Sequence, residues 1–134
     1  ASLNDISYGY VINSSGNVIE PSLAATSAAG DVELPEDTRI LIVDTAHPDG
    51  YPISGFAWAL FYENADRNAA FNSREEAEEA VRFLVWAVTE GQEYSEMLDF
   101  ARLPAAAVES NLNRLAQVKW QGENIGQAIV DEVR

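Results

Sequence analysis

The sequence predicts an α/β fold, and three of its features support this prediction. Two continuous apolar runs, at 39–43 and 53–62, have the length and composition of strands that are buried on both faces of a sheet. After residue 64 the apolar side chains recur at helical spacing. The chain has 134 residues, of which 47% are apolar, so we expect a domain of ordinary size with a real core.

The first fifty residues predict a hairpin, a short helix and a buried strand. Residues 5–13 and 17–20 are rich in β formers, and the turn cluster SSGN joins them into a hairpin. Pro21-Ser22 is a helix start signal, and Gly30 predicts the end of that helix. A polar loop then leads to the first apolar run, at 39–43.

The stretch DGYPISGFAWALFYEN, at 49–64, predicts a second and longer strand. Pro52 suits the entrance of this strand, because no hydrogen bond of the sheet is lost there. Gly55 lies inside the apolar run and predicts either a bend or a close approach of another backbone.

A strong helix is predicted next. Ser73 and Glu76 have the spacing of a capping box, in which the serine accepts from the glutamate amide and the glutamate reaches back. One apolar stripe follows: Ala77, Val81, Leu84 and Val88. Three further apolar residues widen this stripe, so we expect the helix to be covered on more than one side: Phe83, Val85 and Trp86. Gly91 is the predicted C-cap.

The last third of the chain predicts further helices. Residues 92–100 can form a short helix, and Pro104 begins another one. The inward face of that helix is predicted to consist of Val108, Leu112 and Leu115. The tail repeats a similar spacing with Ile125, Ile129 and Val133.

Charge and composition exclude several classes of function. Acidic residues number 22 and basic residues 8, a net charge of -14, so we expect no binding to nucleic acids or anionic membranes. There is no cysteine, hence no disulfide and no thiolate site. No apolar run approaches the roughly 18 residues of a membrane span. The beginning of the sequence lacks the basic and apolar regions of a signal peptide.

Catalytic and cofactor motifs are not found in the sequence. There is no G-x-S-x-G elbow, no P-loop and no G-x-G-x-x-G, so we predict no enzyme activity, no cofactor and no metal. His47, the single histidine, forms a D-x-x-H-x-D cluster with Asp44 and Asp49, and we interpret it as a solvated loop rather than a metal site. The formal glycosylation sequon Asn13-Ser14-Ser15 carries no weight. The acidic run at 75–79 is interpreted as a solvated helix N-terminus.

Three motifs occur in the order found in one known family. Tyr51-Pro52-Ile53 precedes the apolar run, FLVWAVTEGQ spans 83–92, and DFARLP spans 99–104. This pattern resembles the C-terminal part of phosphate ABC-transporter substrate-binding proteins. There, a [YW]-P-I segment leads a strand, and F-x-x-W-A-x-x-x-G-Q and D-Y-A-x-L-P-x-x-V segments follow. The resemblance covers residues 6–120 and is most specific over 51–112.

The resemblance implies a partial two-lobed periplasmic-binding-protein-like (type II) fold with a mixed sheet and packed helices. Residues 1–50 would then end the second lobe with the hairpin, the short helix and the buried strand. Residues 51–134 would make the return crossing and supply the C-terminal helices of the first lobe. The candidate hinge or crossing residues are Tyr51, Pro52, Ile53 and Ser54.

The resemblance also implies a function, with one departure. Proteins of this family capture inorganic phosphate or a similar oxyanion for an ABC permease, in the periplasm or outside the cell, and reach the membrane through the transporter. They grip phosphate with a Gly/Ser/Thr-rich loop, an Asp, and an Arg followed by S-G-T. None of these motifs occurs in the 134 residues, so no phosphate ligand is carried over, and we expect a C-terminal portion of such a protein.

Two alternatives stay open. The chain is a stand-alone interaction or scaffold domain that reuses this architecture, or it is an enzyme, for example a metal-dependent hydrolase around His47. A half-fold exposes a sheet edge and the apolar face meant for its partner, so we expect self-association as a homo-oligomer or by domain swapping.

Overall fold

The computed structural model describes residues 7–134, which form two compact units. The first unit comprises residues 7–57 and Gln92–Ala107, and the second comprises Trp58–Gly91 and Val108–Arg134. The described part of the chain contains four α-helices and two antiparallel two-stranded sheets, and the predicted α/β class is confirmed at this level. Within residues 7–134, no helix has the length and apolar character needed to cross a membrane.

The predicted hairpin is present in the first unit, with shorter strands than expected. Strand β1 (Val11–Ile12) pairs with β2 (Val18–Ile19), and Val11 lies opposite Ile19. The turn between the strands uses Gly16 at a φ of 81°, a conformation that glycine adopts without steric cost. Residues 5 and 6, with which the predicted strand begins, lie outside the described residues.

The short helix α1 (Leu23–Ala29) has the predicted ends. The Ser22 hydroxyl accepts a hydrogen bond from the Ala25 amide at 3.1 Å, which satisfies one of the free amides of the first turn. Gly30 follows as the C-cap, and a Cβ there would lie 3.1 Å from the Phe56 ring and 3.3 Å from Pro104. Because these contacts are tight, the packing at this helix end favours a residue without a side chain.

The structure contradicts the prediction of two buried strands. Neither 39–43 nor 53–62 is a strand. In the first run only Ile42 is buried, at 2% exposure, while Leu41 is 81% exposed; in the second, Leu60 is 97% exposed. A strand buried on both faces needs neighbouring strands and covering layers. In the described residues neither run pairs with a strand along its length, and only Asn64, at the end of the 49–64 stretch, forms a bridge, to Lys119.

The expected mixed sheet is not found among residues 7–134. Both sheets are antiparallel pairs of strands, and the parallel pairing is limited to a single bridge between Asn64, two residues after the second run, and Lys119 of the second sheet. Of the two alternatives predicted for Gly55, a bend or a close approach, the close approach is not found, because no atom of the described residues lies within 4 Å of a Cβ built there. Residues 53–62 therefore form no strand pairing among the described residues.

The second unit contains most of the helical core. Its elements are helices α2 (Arg74–Val88), α3 (Ala105–Leu115, whose first three residues belong to the first unit) and α4 (Gly126–Asp131), with strands β3 (Lys119–Trp120) and β4 (Glu123–Asn124). The buried side chains that form this core come from all three helices, the segments between them and the 3₁₀ turn Ala65–Arg67: Ala65, Ala77, Val81, Val85, Leu112, Ala116, Val118, Ile125, Ile129 and Val130. Most predicted inward positions are thus confirmed, although Val133 is exposed.

The beginning of α2 confirms half of the predicted capping box. The Ser73 hydroxyl accepts from the Glu76 amide at 3.3 Å, as expected. The Glu76 carboxylate accepts from the Asn72 amide at 2.7 Å, one residue before the predicted partner. The pKa of the Glu75 carboxyl in the same turn is lowered, first by a hydrogen bond from its own backbone amide and then by one from the Ser73 hydroxyl.

The far end of α2 differs from the prediction. Val85 is buried, but Phe83 and Trp86 are exposed and pack on each other with ring centroids 5.9 Å apart. The helix is therefore not covered on that side by the described residues. Thr89, not Gly91, is the C-cap. The predicted helix at 92–100 is replaced by two 3₁₀ turns, Glu90–Tyr94 and Glu96–Leu98.

Candidate functional site

The four candidate hinge residues lie in one short segment of the first unit, held by backbone hydrogen bonds. The Tyr51 amide donates to the Ala25 carbonyl at 2.9 Å, which ties the segment to α1. The Pro52 carbonyl accepts from the Asp44 amide at 2.9 Å, and the Ser54 hydroxyl donates to the Tyr51 carbonyl at 2.8 Å. Pro52 and Ser54 are buried and Ile53 is exposed.

The loop before Tyr51 is attached to the hairpin turn by the side chain of Asn13. Its amide nitrogen donates to the carbonyl of Pro48 at 2.9 Å and to that of Gly50 at 3.2 Å, and its oxygen accepts from the Asn17 amide. Asn13 is 4% exposed, so its polar groups are satisfied by these bonds rather than by water. The Asn13 side-chain nitrogen, to which a glycan would be attached, is therefore buried and hydrogen-bonded.

Sequence reasoning missed this role of Asn13. The available signal was an asparagine at the start of the turn cluster, because asparagine side chains commonly bond to backbone groups in turns. The sequence does not show which distant carbonyls complete such a set of bonds, since the partners lie 35 and 37 residues away.

The cluster around His47 does not converge on one point. The Asp44 carboxylate accepts from the Ser14 amide at 2.7 Å, and His47 Nδ1 accepts from the Asp49 amide at 3.2 Å. Both groups thus stabilise the loop itself. Within residues 7–134 there is no group of three histidine, cysteine, aspartate or glutamate side chains that could hold a metal ion.

The second unit has an open groove between α2 and α4. Its volume is about 170 Å³, and its walls are apolar side chains of both helices with charged groups beside them. The residues that line it are Arg82, Val85, Trp86, Glu90, Ile129 and Glu132, with Thr89 and Val133. Arg82 forms ion pairs with Glu132 and, at 3.5 Å, with Glu79.

A comparison with protein-family models finds none that matches the chain. The class of protein is therefore assigned from the fold alone. Residues 7–134 form an α/β protein with four helices and two small sheets. The Ser54 hydroxyl of the Tyr51–Ser54 segment donates to the Tyr51 carbonyl, and the Thr89 hydroxyl at the groove donates to that of Val85.

Proposed function

We propose that the chain is the C-terminal portion of a phosphate or related oxyanion substrate-binding protein that serves an ABC permease in the periplasm or outside the cell. The observation that carries the proposal is the ordered set of three motifs at 51–53, 83–92 and 99–104. In this proposal the phosphate-gripping residues belong to the remainder of the protein. The chain itself needs no cofactor and catalyses no reaction.

The path of the chain between its compact units supports a crossing after Tyr51. The Tyr51–Ser54 segment is bonded to α1 and Asp44 in the first unit, and the chain enters the second unit at Trp58. The proposed lobes, 1–50 and 51–134, differ from the compact units in residues 51–57 and Gln92–Ala107, which belong to the first unit. We propose the Tyr51–Ser54 segment as the fixed end of the crossing, since its bonds hold it to the first unit.

The exposure of the two apolar runs also supports the proposal. Leu41 and Leu60 are largely exposed, in segments whose composition is that of buried strands. Exposing apolar side chains of this size is unfavourable by about 1.5–3 kcal/mol each relative to burial. In the proposed full-length protein these runs gain partner strands from the remainder and become the sheet strands that the sequence predicts.

Titration calorimetry with phosphate tests the proposal. The two proteins compared are the gene-encoded full-length chain and the 134-residue form, at the same pH and salt. We expect the full-length chain to bind phosphate and the 134-residue form to give no heat, with sulfate as the control that separates the oxyanions. A gene that encodes only these 134 residues, together with no phosphate binding, would contradict the proposal.

The second candidate is a stand-alone interaction domain that associates with itself. The observation in its favour is again Leu60, which is 97% exposed beside the exposed Trp58 and Tyr62. Sedimentation velocity at increasing concentration checks it. A mass that rises with concentration, and returns to that of the monomer in Leu60→Glu, supports this candidate. A monomer at every concentration and at high salt argues against it.

A further inference from the structure

The groove between α2 and α4 combines an apolar floor with an excess of negative charge. Val85 and Ile129 are buried beneath it, and the Trp86 ring stands at its side, 41% exposed. The groove belongs wholly to the second unit. Its volume of about 170 Å³ suits one long side chain rather than a folded element.

The cationic group already in the groove is neutralised by its neighbours. Arg82 pairs with Glu132 and with Glu79, so its charge is matched within the protein. Glu90 lies exposed at the rim and forms no ion pair among the described residues. The side chains that line the groove therefore carry one net negative charge from Arg82, Glu90 and Glu132.

The end of α2 adds to this negative potential. Thr89 caps the helix beside the groove, and the last turn contains no basic residue. A helix C-terminus carries a partial negative charge of about half an electron, which is commonly offset by lysine, arginine or histidine in the last turn. In α2 no basic side chain of that turn offsets it, although Thr89 donates to the carbonyls of Val85 and Trp86.

The apolar walls suit the stem of a basic side chain. Lysine and arginine place their methylene groups on apolar surface while the charged head stays in water. Tryptophan is the best aromatic partner for such a head. Trp86, Val133 and Glu90 all line the groove, which therefore offers an aromatic ring, apolar surface and a carboxylate to one basic side chain.

We propose that this groove binds an arginine or lysine side chain in a basic, apolar-flanked segment of a partner protein. The charge of -14 attracts such a partner over longer distances, while the groove supplies the local complementarity. The inference goes beyond the transport proposal and does not depend on it, since it uses only contacts within the second unit.

The test uses a blocked five-residue peptide with one central arginine between leucines, and an identical peptide with neutral citrulline in its place. Two-dimensional amide spectra of the isotope-labelled 134-residue protein follow the binding. We expect the arginine peptide to shift the Trp86 indole N–H and the amides of Thr89 and Glu90. The citrulline peptide is expected to bind more weakly.

Two matched variants separate the groove from general attraction to an acidic protein. Glu90→Gln removes one charge at the groove, and we expect it to weaken binding about two- to fivefold, the range of an exposed ion pair. Glu75→Gln removes the same charge at the other end of α2, about 20 Å away, and is expected to leave the affinity unchanged. Equal weakening by both variants, or equal binding of both peptides, would overturn the proposal.

Discussion

The side-chain amide of Asn13 lies 2.9 Å from the carbonyl oxygen of Pro48 and joins the hairpin turn to the loop that precedes Tyr51. Both ends of this contact are within the first unit, and the Asn13 side chain is buried. A short polar side chain thus attaches the loop before Tyr51 to the hairpin turn. This contact gives the first of four predictions.

Replacing Asn13 with alanine should destabilise the first unit. The change removes the side-chain partner of the buried Gly50 carbonyl and of the Asn17 amide, while the Pro48 carbonyl keeps its bond from the Asn17 side chain. Leaving a buried polar group unpaired costs about 1–3 kcal/mol. Urea unfolding followed by tyrosine fluorescence and far-ultraviolet circular dichroism measures the loss. Asn17→Ala is the control, because it removes an exposed bond to the same Pro48 carbonyl and should cost less. Equal effects of the two changes would show that burial at Asn13 is unimportant.

The cap of α2 gives the second prediction. Ser73→Ala removes the acceptor for the Glu76 amide and should lower the free energy of unfolding by about 1 kcal/mol. Amide hydrogen exchange at Glu76 should become faster as well. Ser95→Ala serves as the control, since Ser95 precedes a 3₁₀ turn and makes no side-chain cap bond. The prediction fails if Ser73→Ala and Ser95→Ala have the same stability.

Glu75 gives a prediction about pH. Its pKa is lowered from the ordinary value of 4.5 by bonds to its own amide and to Ser73. A lowered folded-state pKa means that the carboxylate stabilises the fold above 4.5 and that this contribution is lost as the pH falls through the lowered pKa. We expect wild type to exceed Glu75→Gln in stability at neutral pH and the two to converge in acid. A difference that does not change with pH would contradict this.

Substitutions of two leucines test whether the core is the one observed in the structure or the one predicted from the sequence. Leu112→Ala removes a side chain that is 4% exposed and should cost about 2–5 kcal/mol, because it leaves a cavity. Leu60→Ala should change stability by no more than about 0.5 kcal/mol, as expected of a surface position. Thermal and urea unfolding of the 134-residue form measures both. A large loss of stability in Leu60→Ala would indicate that Leu60 is buried, as in the strand that the sequence predicts at 53–62.

Local signals in the sequence were enough to predict the short-range elements. Ser22 and Gly30 bound α1, Ser73 begins α2, and the apolar stripes of α2 and α3 point into the core. Caps and helical stripes depend on residues three or four positions apart, so their physics is contained in the local sequence. The hairpin belongs to the same group, since its turn cluster lies between its strands.

The sequence by itself therefore determined the α/β class, the helix starts and the acidic, cysteine-free character of the chain. The tertiary structure alone decided the state of the two apolar runs, the partners of Asn13 and the groove beside Trp86. The composition of an apolar run favours a strand, but a strand forms only where a second backbone lies within hydrogen-bonding distance. For Leu41 and Leu60 the described residues supply no such neighbour, and only the three-dimensional arrangement reveals this.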